Sequence, residues 1–339
     1  MRRLATLFVA ALVLVVLVGP AAARSTAPGS WAAPQIATVV GVGLMAPSVE
    51  EFRPDDPLTA TEFAIVLASL GSAVSVDVPD RPVTIRELDA RLVSLAGLRP
   101  TAHDVRLEAL AAGLSPTTWL GTETVARMLG LRVNHLRAED ELELQVSQPA
   151  TRAEAAYSIA RVLTLSDAEV ESVQAAAETF TAPDLTDWQR TVLTRALHLV
   201  GSPYVWAGSS ERRQPLFGKQ LPGGFDCSGF VLRVYKLEPF AGAPVLTQVL
   251  RGRTTYSMSG EIPRVARIVR EQLQPGDVVF FGSRGPRSRP SEVGHMGIYV
   301  GNGWIVHSSR FGTTLTPMTG WYETTFAWGR RPLAEAGLA

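Results

Sequence analysis

Residues 223–231 read Gly-Gly-Phe-Asp-Cys-Ser-Gly-Phe-Val, a glycine turn that passes directly into an apolar run. The stretch contains Cys227, the only cysteine in a chain of 339 residues. A cysteine at the start of a helix faces free backbone N–H groups and the positive end of the helix dipole, which favour the thiolate. The stretch therefore predicts a helix that begins at a reactive thiol.

The N-terminus predicts export. Residues 1–23 have the layout of a secretory signal peptide, with Arg2 and Arg3 before an apolar run and a small-residue cleavage site at Ala21-Ala22-Ala23. The alternative is a single membrane anchor, but the apolar run of about 15 residues is short of the roughly 20 that a membrane span needs. In an oxidising compartment a lone Cys227 has no internal disulfide partner, which indicates chemistry or an intermolecular partner.

Composition bounds the remaining possibilities. The chain has 32 Lys and Arg against 32 Asp and Glu, and it is 46% hydrophobic. A nucleic-acid partner is not expected, because such proteins normally concentrate basic residues on one face. The length suits two domains.

The N-terminal half repeats one helix-start signal. The pattern Pro-apolar-Thr-x-x-Glu-apolar occurs at residues 57–63, 82–88 and 149–155. It is a capping box, in which the Thr hydroxyl and the Glu carboxylate satisfy orphan N–H groups at the helix start. Each copy predicts an amphipathic helix, and two further helices are predicted at about 104–113 and 122–131.

These repeats resemble S-layer homology repeats, which bind cell-wall polymers. The resemblance implies an all-α domain over residues 24–165. It is degenerate, because the family's Thr-Arg-Ala-Glu is intact only at residues 151–154, while Ala60 and Ile85 stand where the family places its arginine. The resemblance makes Arg152 the candidate residue for binding a wall polymer.

The C-terminal half carries four motif blocks after a connector at residues 166–187, with the domain boundary near 180. A helix at about 186–200 leads into the first block, Gly-Ser-Pro-Tyr-Val-Trp-Ala-Gly. The blocks occupy residues 201–208, 225–231, 273–282 and 294–307. The third reads as a turn and a strand, and the fourth as two strands joined by Gly-Asn-Gly in a hairpin.

The hairpin brings two histidines together. His295 lies near the start of the first strand and His307 near the end of the second, and hairpin partners sit about 5 Å apart. His307 can then orient His295 as a base for Cys227. A zinc site made of the same three residues is the alternative, but no Cys-x-x-Cys or His-x-x-x-His spacing supports it.

The four blocks together closely resemble the NlpC/P60 family of papain-like cell-wall peptidases, over roughly residues 186–332. The resemblance implies an α+β catalytic domain with helices packed on an antiparallel sheet, assigned to residues 188–332, and a tail at 333–339. It makes Cys227 the nucleophile, His295 the base and His307 the third residue of the triad. It also makes Tyr204, Asp226 and Ser228 substrate-binding residues.

Two departures from the family pattern bear on substrate selection. Ala207 stands where the first glycine of a Gly-Gly pair is usual. Residues 209–222 form a longer insert with basic residues Arg212, Arg213 and Lys219. Neither departure touches the triad.

The resulting hypothesis is a secreted, wall-associated cysteine peptidase that needs no metal or cofactor. The family's usual target is the D-γ-glutamyl bond to a diamino acid in a peptidoglycan stem peptide, hydrolysed through an acyl-enzyme. The expected partners are that peptide and a wall polymer, with no membrane contact after signal cleavage. The alternatives are an amidase or acyltransferase on the same triad, and a wall-bound protein with an inactive peptidase domain.

Overall fold

The computed structural model describes residues 29–134, 143–237 and 244–338. The signal peptide predicted at residues 1–23 lies outside these ranges. In the described part of the chain, none of the helices has the length and hydropathy needed to cross a membrane.

The described N-terminal part is helical. Its helices are α1 Ala33–Gly41, α2 Ala60–Ser69, α3 Ile85–Leu95, α4 Arg99–Ala111, α5 Leu120–Met128, α6 Arg152–Thr164, α7 Asp167–Glu178 and α8 Asp187–His198. The helices predicted at about 104–113 and 122–131 exist as α4 and α5 but begin earlier. Neither start has a side-chain cap, and Pro100 in the first turn of α4 is the local signal for its earlier start.

A helix begins at each of the three repeated signals, and the reciprocal capping box is present at the first two. Thr59 and Glu62 make a reciprocal capping box at α2, and the Thr84 amide donates to Glu87 at the start of α3. At α6 the Thr151 hydroxyl accepts a hydrogen bond from the Glu154 amide.

The three segments that precede these helices also bind one another. The Leu58 amide donates to the Ala150 carbonyl (2.8 Å), the Ala150 amide to the Val83 carbonyl (2.8 Å) and the Val83 amide to the Leu58 carbonyl (2.9 Å). This closed ring of hydrogen bonds, the three-segment ring, lies in the core, because all three residues are buried. It holds the starts of α2, α3 and α6 around one point.

The C-terminal part combines helices with an antiparallel sheet. Its elements are β1 Ser209–Ser210, β2 Gln214–Leu216, β3 Lys219–Leu221, β4 Gly224–Phe225, α9 Cys227–Leu232, α10 Thr255–Gly260, β5 Val278–Gly282, β6 Val293–Gly301, β7 Trp304–Ser309, β8 Gly312–Pro317, α11 Trp321–Thr325, β9 Phe326–Arg330 and α12 Pro332–Glu335. After Leu232, α9 continues as a π-helical segment, Arg233–Leu237. The main sheet has the order β8-β7-β6-β5-β9, with neighbouring strands antiparallel.

Among the described residues, a first hydrophobic core lies in the helical part, a second lies mainly in the mixed part, and a smaller third surrounds Phe281 and Ile305. The second core contains buried residues of α8, α9 and the main sheet, including Val192, Phe230 and Val306, and also Leu120 from α5. The α+β fold class is confirmed, with helices in the N-terminal part and helices packed on an antiparallel sheet in the C-terminal part. The predicted hairpin is present as β6 and β7, joined at Gly301–Gly303.

The limits of the connector and the tail are less sharp than their composition indicates. Phe180 and Leu185, in the connector, are buried in the second core. Leu333, in the predicted tail, is buried in the same core, and α12 includes it. The domain limits themselves stay predictions.

Side chains of the helical part reach the loops of the mixed part. Asn134 Nδ2 donates to the Tyr204 carbonyl (3.2 Å) and Gln145 Nε2 to the Gly223 carbonyl (2.8 Å). The Arg127 guanidinium donates to the Phe311 carbonyl. The helical part therefore supports the segments on both sides of the cysteine motif.

Candidate active site

Cys227 is the first residue of α9, and the local chain holds it there. Asp226 is the N-cap, and its Oδ1 accepts a hydrogen bond from the Gly229 amide at 2.5 Å. A side chain at Gly229 would collide with the Gly208 carbonyl oxygen, which an added Cβ would approach to 1.8 Å. The cysteine is partly exposed, and its Sγ lies 3.3 Å from the Thr255 hydroxyl.

The two predicted histidines are in hydrogen-bond contact. His295 on β6 places its Nε2 3.0 Å from Nδ1 of His307 on β7, and the rings are nearly perpendicular at 88°. His295 also lines the same cleft as Cys227, with a volume of about 460 Å³. The sheet thus brings a histidine pair to the N-terminus of the helix that carries the thiol.

The protonation state of this group differs from the expectation of a resting thiolate. Burial raises the pKa of the Cys227 thiol, and this outweighs the lowering by the Thr255 hydroxyl and nearby backbone amides. Burial also lowers the pKa of His295 to about 4, and burial together with the neighbouring His295 lowers that of His307 well below its usual range. The resting site at neutral pH is a neutral thiol beside neutral imidazoles.

An aromatic ring packs against His307. The Tyr322 ring centroid lies 4.9 Å from that of His307, and the two rings are tilted by 55°. His307 Nε2 is buried and has no hydrogen-bond partner among the described residues. The electron-rich face of Tyr322 can receive an N–H from this nitrogen. His307 Nδ1 is then free to accept from His295 Nε2, which leaves His295 Nδ1 as the basic nitrogen.

The predicted substrate-binding residues Asp226 and Ser228 are linked to a residue that sequence reasoning missed. The Arg253 guanidinium contacts both Asp226 oxygens at 3.2 Å, the Ser228 hydroxyl at 2.7 Å and the Ala207 carbonyl at 2.6 Å. Ser228 in turn donates to Asp226 Oδ1 at 2.9 Å. Arg253 precedes α10, and no local sequence pattern marks it.

Tyr204 lies on the same cleft as Cys227. Its backbone pairs with Phe225, two residues before the cysteine. Burial and the nearby Cys227 and Asp226 raise the pKa of Tyr204, so its hydroxyl stays protonated and can donate a hydrogen bond. The structure therefore brings Tyr204, Asp226, Ser228, Cys227 and His295 to one cleft.

Among the described residues, Arg152 contacts none of those that line this cleft. Its side chain is 2% exposed, and it donates to the Phe52 carbonyl (2.7 Å), the Met45 carbonyl (2.5 Å) and Glu62 (2.6 Å). These are contacts within the helical core. Polymer binding by Arg152 stays a prediction. To bind a polymer, Arg152 would have to give up these hydrogen bonds.

The insert at residues 209–222 is a hairpin beside the cleft. Its strands β2 and β3 are joined by the two-residue loop Phe217-Gly218, with φ of 52° and 76°. Ala207, at φ 61°, is also left-handed. A non-glycine residue in this conformation costs about 1–2 kcal/mol. Ala207 and the insert, the two departures from the family pattern, thus each place a strained residue at the cleft.

No metal site accompanies these residues. Within residues 29–134, 143–237 and 244–338, no group of three or more His, Cys, Asp or Glu side chains is arranged to hold a metal ion.

Known proteins share the C-terminal part of this chain. Residues 201–331 match the NlpC/P60 family. A protein described as a probable endopeptidase of Mycobacterium tuberculosis is 36% identical over 39% of this chain and 27% of its own length. Murein DD-endopeptidase MepH of Escherichia coli is 32% identical over 44% of this chain and 42% of its own. A gamma-D-glutamyl-L-lysine dipeptidyl-peptidase of Bacillus cereus is 32% identical over 33% of this chain and 26% of its own.

The matched region therefore spans less than half the length of each of these relatives. Among solved structures, an NlpC/P60 family protein from Bacillus cereus is similar at 25% identity and a TM-score of 0.34, over 46% of this chain and 43% of the other. RipD from Mycobacterium tuberculosis, described as a non-catalytic NlpC/P60 domain protein, is 18% identical with a TM-score of 0.32, over 43% of this chain and 98% of its own.

Proposed function

We propose that the NlpC/P60 domain at residues 201–331 makes this protein a cysteine peptidase that hydrolyses peptidoglycan stem peptides. One observation carries the proposal. His295 lines the cleft that also contains Cys227, and its Nε2 lies 3.0 Å from Nδ1 of the buried His307. This is the nucleophile, base and orienter arrangement that acyl transfer requires.

The chemistry begins from the neutral pair. His295 accepts the thiol proton as the Cys227 sulfur attacks the peptide carbonyl carbon, and the carbonyl becomes an oxyanion. When the oxyanion collapses, the carbon–nitrogen bond breaks and His295 gives the proton to the leaving amine. Water then attacks the thioester, with His295 as base, and releases the acid and the free thiol.

The bond we assign is the D-γ-glutamyl bond to the diamino acid. The name of the Bacillus cereus relative, a gamma-D-glutamyl-L-lysine dipeptidyl-peptidase, supports this choice. The name of the Escherichia coli relative, a murein DD-endopeptidase, favours a different bond of the same polymer. Both outcomes use the same residues, so product analysis must separate them.

The test is mass spectrometry of muropeptides digested by the full chain and by Cys227→Ala. Cleavage at the proposed bond leaves a diamino acid with a free α-amine, whereas D,D cleavage leaves a new D-alanine carboxylate. Amidase action would instead separate the peptide from the sugar. We expect the first product from the parent protein and no product from Cys227→Ala. Equal product from both proteins would overturn the proposed mechanism.

A thiol-reactive probe tests whether the domain is inactive. An electrophilic peptide that labels reactive cysteines should modify the parent protein and leave Cys227→Ala unmodified, since the chain has one cysteine. No labelling of the folded parent protein would favour a binding protein without activity.

We also assign the helical part, residues 24–165, to holding the enzyme at the cell wall after export. The support is its resemblance to S-layer homology repeats, together with the three-segment ring that unites its capping boxes. Purified walls with and without their secondary polymers would be mixed with the Cys227→Ala chain and sedimented. Retention that is the same on stripped walls would contradict polymer binding.

A further inference from the structure

The hairpin of the insert carries an aromatic side chain to the rim of the cleft. Phe217 lies in the two-residue loop between β2 and β3, and its side chain is 72% exposed. It lines the same cleft as Cys227, together with Trp206, which is 69% exposed, and Tyr256, which is 55% exposed. We call Trp206, Phe217 and Tyr256 the aromatic rim.

The base of this hairpin is fixed to the segment that leads into the cysteine motif. The Gln214 side chain is buried, accepts a hydrogen bond from the Ser209 amide (2.9 Å) and donates to the Gly224 carbonyl (3.0 Å). Across the hairpin, Arg213 donates to the Gln220 carbonyl at 3.0 Å. The hairpin that carries Phe217 is therefore ordered. Its chain is anchored at Gln214, three residues before Phe217.

The choice of phenylalanine at this loop position is unfavourable for folding alone. A two-residue hairpin loop with two left-handed residues favours Asn-Gly or Gly-Gly, because a bulky side chain is strained there. Phe217 has φ 52°, and its exposure means that little packing within the protein offsets the strain. Strain and apolar exposure at one cleft residue together indicate a ligand contact.

Recognition of a charged group does not explain why aromatic side chains are exposed at this rim. Asp226, the carboxylate among the residues that line the cleft, is already paired with Arg253 and Ser228. The rim thus offers flat apolar faces. Stem peptides carry methyl groups, carboxylates and amines, which cover an aromatic face poorly. A pyranose ring has one face of C–H groups with polar groups at its edge, which matches an exposed aromatic ring.

From these observations we infer that the aromatic rim is a subsite for an N-acetylated amino-sugar ring of the glycan strand, with Phe217 as its central contact. The inference rests on the proposed function, because the sugar is the one to which the stem peptide is attached. It makes the enzyme selective for peptides still joined to glycan.

The first test compares two soluble substrates with the same stem peptide. One carries the N-acetylglucosaminyl-N-acetylmuramoyl disaccharide, and the other carries an N-acetyl group in its place, so that neither has a free N-terminal amine. We expect Phe217→Ala to lower the ratio of kcat/KM for the sugar-linked over the N-acetylated peptide about tenfold. The matched control is Val265→Ala, an exposed apolar residue of the same domain that does not line the cleft. A ratio in Phe217→Ala equal to that of the control would overturn the subsite.

The second test does not depend on turnover. The free disaccharide is titrated into Cys227→Ala and into the double variant with Phe217→Ala, and binding is followed by calorimetry. We expect at least tenfold weaker binding in the double variant, and equal binding would overturn the inference. If the parent protein cleaves neither peptide while this difference is seen, the proposed function fails and the sugar subsite stands.

A third variant separates binding from folding. Phe217→Asn gives the loop the Asn-Gly sequence that its geometry favours, so we expect a higher melting temperature than the parent protein. Disaccharide binding should nevertheless fall as in Phe217→Ala. Retained binding in Phe217→Asn would contradict an aromatic contact.

Discussion

At the scale of single residues, burial keeps the proposed nucleophile Cys227 and the proposed base His295 uncharged. Cys227 stands at a helix N-terminus, which favours a thiolate, but burial has the larger effect and raises its pKa. Burial likewise keeps His295 neutral, because its pKa is lowered to about 4. The proton is therefore expected to move during attack, and the resting protein should hold no thiolate–imidazolium pair.

The pKa of His295 predicts the acid side of the pH profile. A base with a pKa of about 4 stays unprotonated through pH 5, so kcat/KM should persist there and fall as the pH approaches 4. The measurement is kcat/KM on a soluble muropeptide from pH 3.5 to 8. An acid limb near pH 6.5, the ordinary value for histidine, would contradict a buried neutral base.

The pH dependence of protein stability should also reflect the titration of His295. Between pH 6.5 and about 4 the unfolded chain protonates His295 and the folded chain does not, so proton uptake favours unfolding as the pH falls. Melting temperatures recorded in the same buffers provide the control, because they separate loss of base function from loss of fold.

Tyr322 is expected to act on the rate through the tautomer of His307. Tyr322→Phe keeps the aromatic face and should hold kcat within about threefold, whereas Tyr322→Leu removes it and should lower kcat about tenfold with little change in KM. The acid limb of the pH profile should also move only in Tyr322→Leu. Equal effects of the two substitutions would show that the ring face has no such role.

At the scale of elements, local sequence patterns were sufficient to predict helix starts and the hairpin. They did not predict contacts between residues that are distant in the sequence. The capping boxes join residues three apart, and the β6–β7 hairpin is marked by its Gly-Asn-Gly turn, so both are visible in the chain. Arg253 reaches Asp226 from 27 residues away, and no local pattern reports such a contact. The three-segment ring was equally invisible, since its members share a pattern without any sign that they pair.

Helix geometry explains why the apolar face predicted for α6 is only partly correct. The spacing of Ala155, Ile159 and Leu163 predicts one apolar face of α6, yet Leu163 is exposed while Ala155 and Ile159 are buried. Successive steps of four residues drift by about 40° around a helix of 3.6 residues per turn. The third position therefore turns away from the core.

Arg152 provides a prediction about the start of α6. Arg152→Met leaves the buried carbonyls of Phe52 and Met45 without their donor, so we expect the free energy of unfolding to fall by about 3 kcal/mol. Urea denaturation measures it, with Arg99→Met, an exposed arginine of α4, as the control. An unchanged free energy of unfolding together with lost wall retention would return Arg152 to the role of a polymer ligand.

At the scale of the whole molecule, a buried group of charges lies where the helical part meets the NlpC/P60 domain. Arg127 binds Glu123 (2.7 Å) and Glu143 (2.8 Å), and Arg132 binds Asp89 (3.0 Å) and Glu143 (2.5 Å), all with side chains at most 3% exposed. Carboxylates outnumber guanidinium groups in this cluster. Accordingly, burial raises the pKa of Asp89 to about 7 despite the attraction of Arg132.

Arg127 should couple the two parts energetically, because it also donates to the Phe311 carbonyl of the NlpC/P60 domain. Arg127→Met removes one of the two guanidinium groups that face the buried carboxylates Glu123 and Glu143, so we expect the free energy of unfolding to fall by about 3–5 kcal/mol. Calorimetry should show one unfolding transition for the parent protein and two for Arg127→Met. Arg190→Met removes an ion pair with the exposed Asp187 and should change stability by less than about 1 kcal/mol. A single, unshifted transition in Arg127→Met would contradict the coupling.

The three-segment ring also determines how the helical part can be synthesised and folded. Its hydrogen bonds join residues near 58, 83 and 150, so the ring cannot close until nearly the whole helical part has left the ribosome. Contacts of such high sequence separation slow folding, because the chain loses loop entropy before any of the bonds compensates for it. The helical part should therefore form in one late, cooperative step, after the segment near residue 150 has become available.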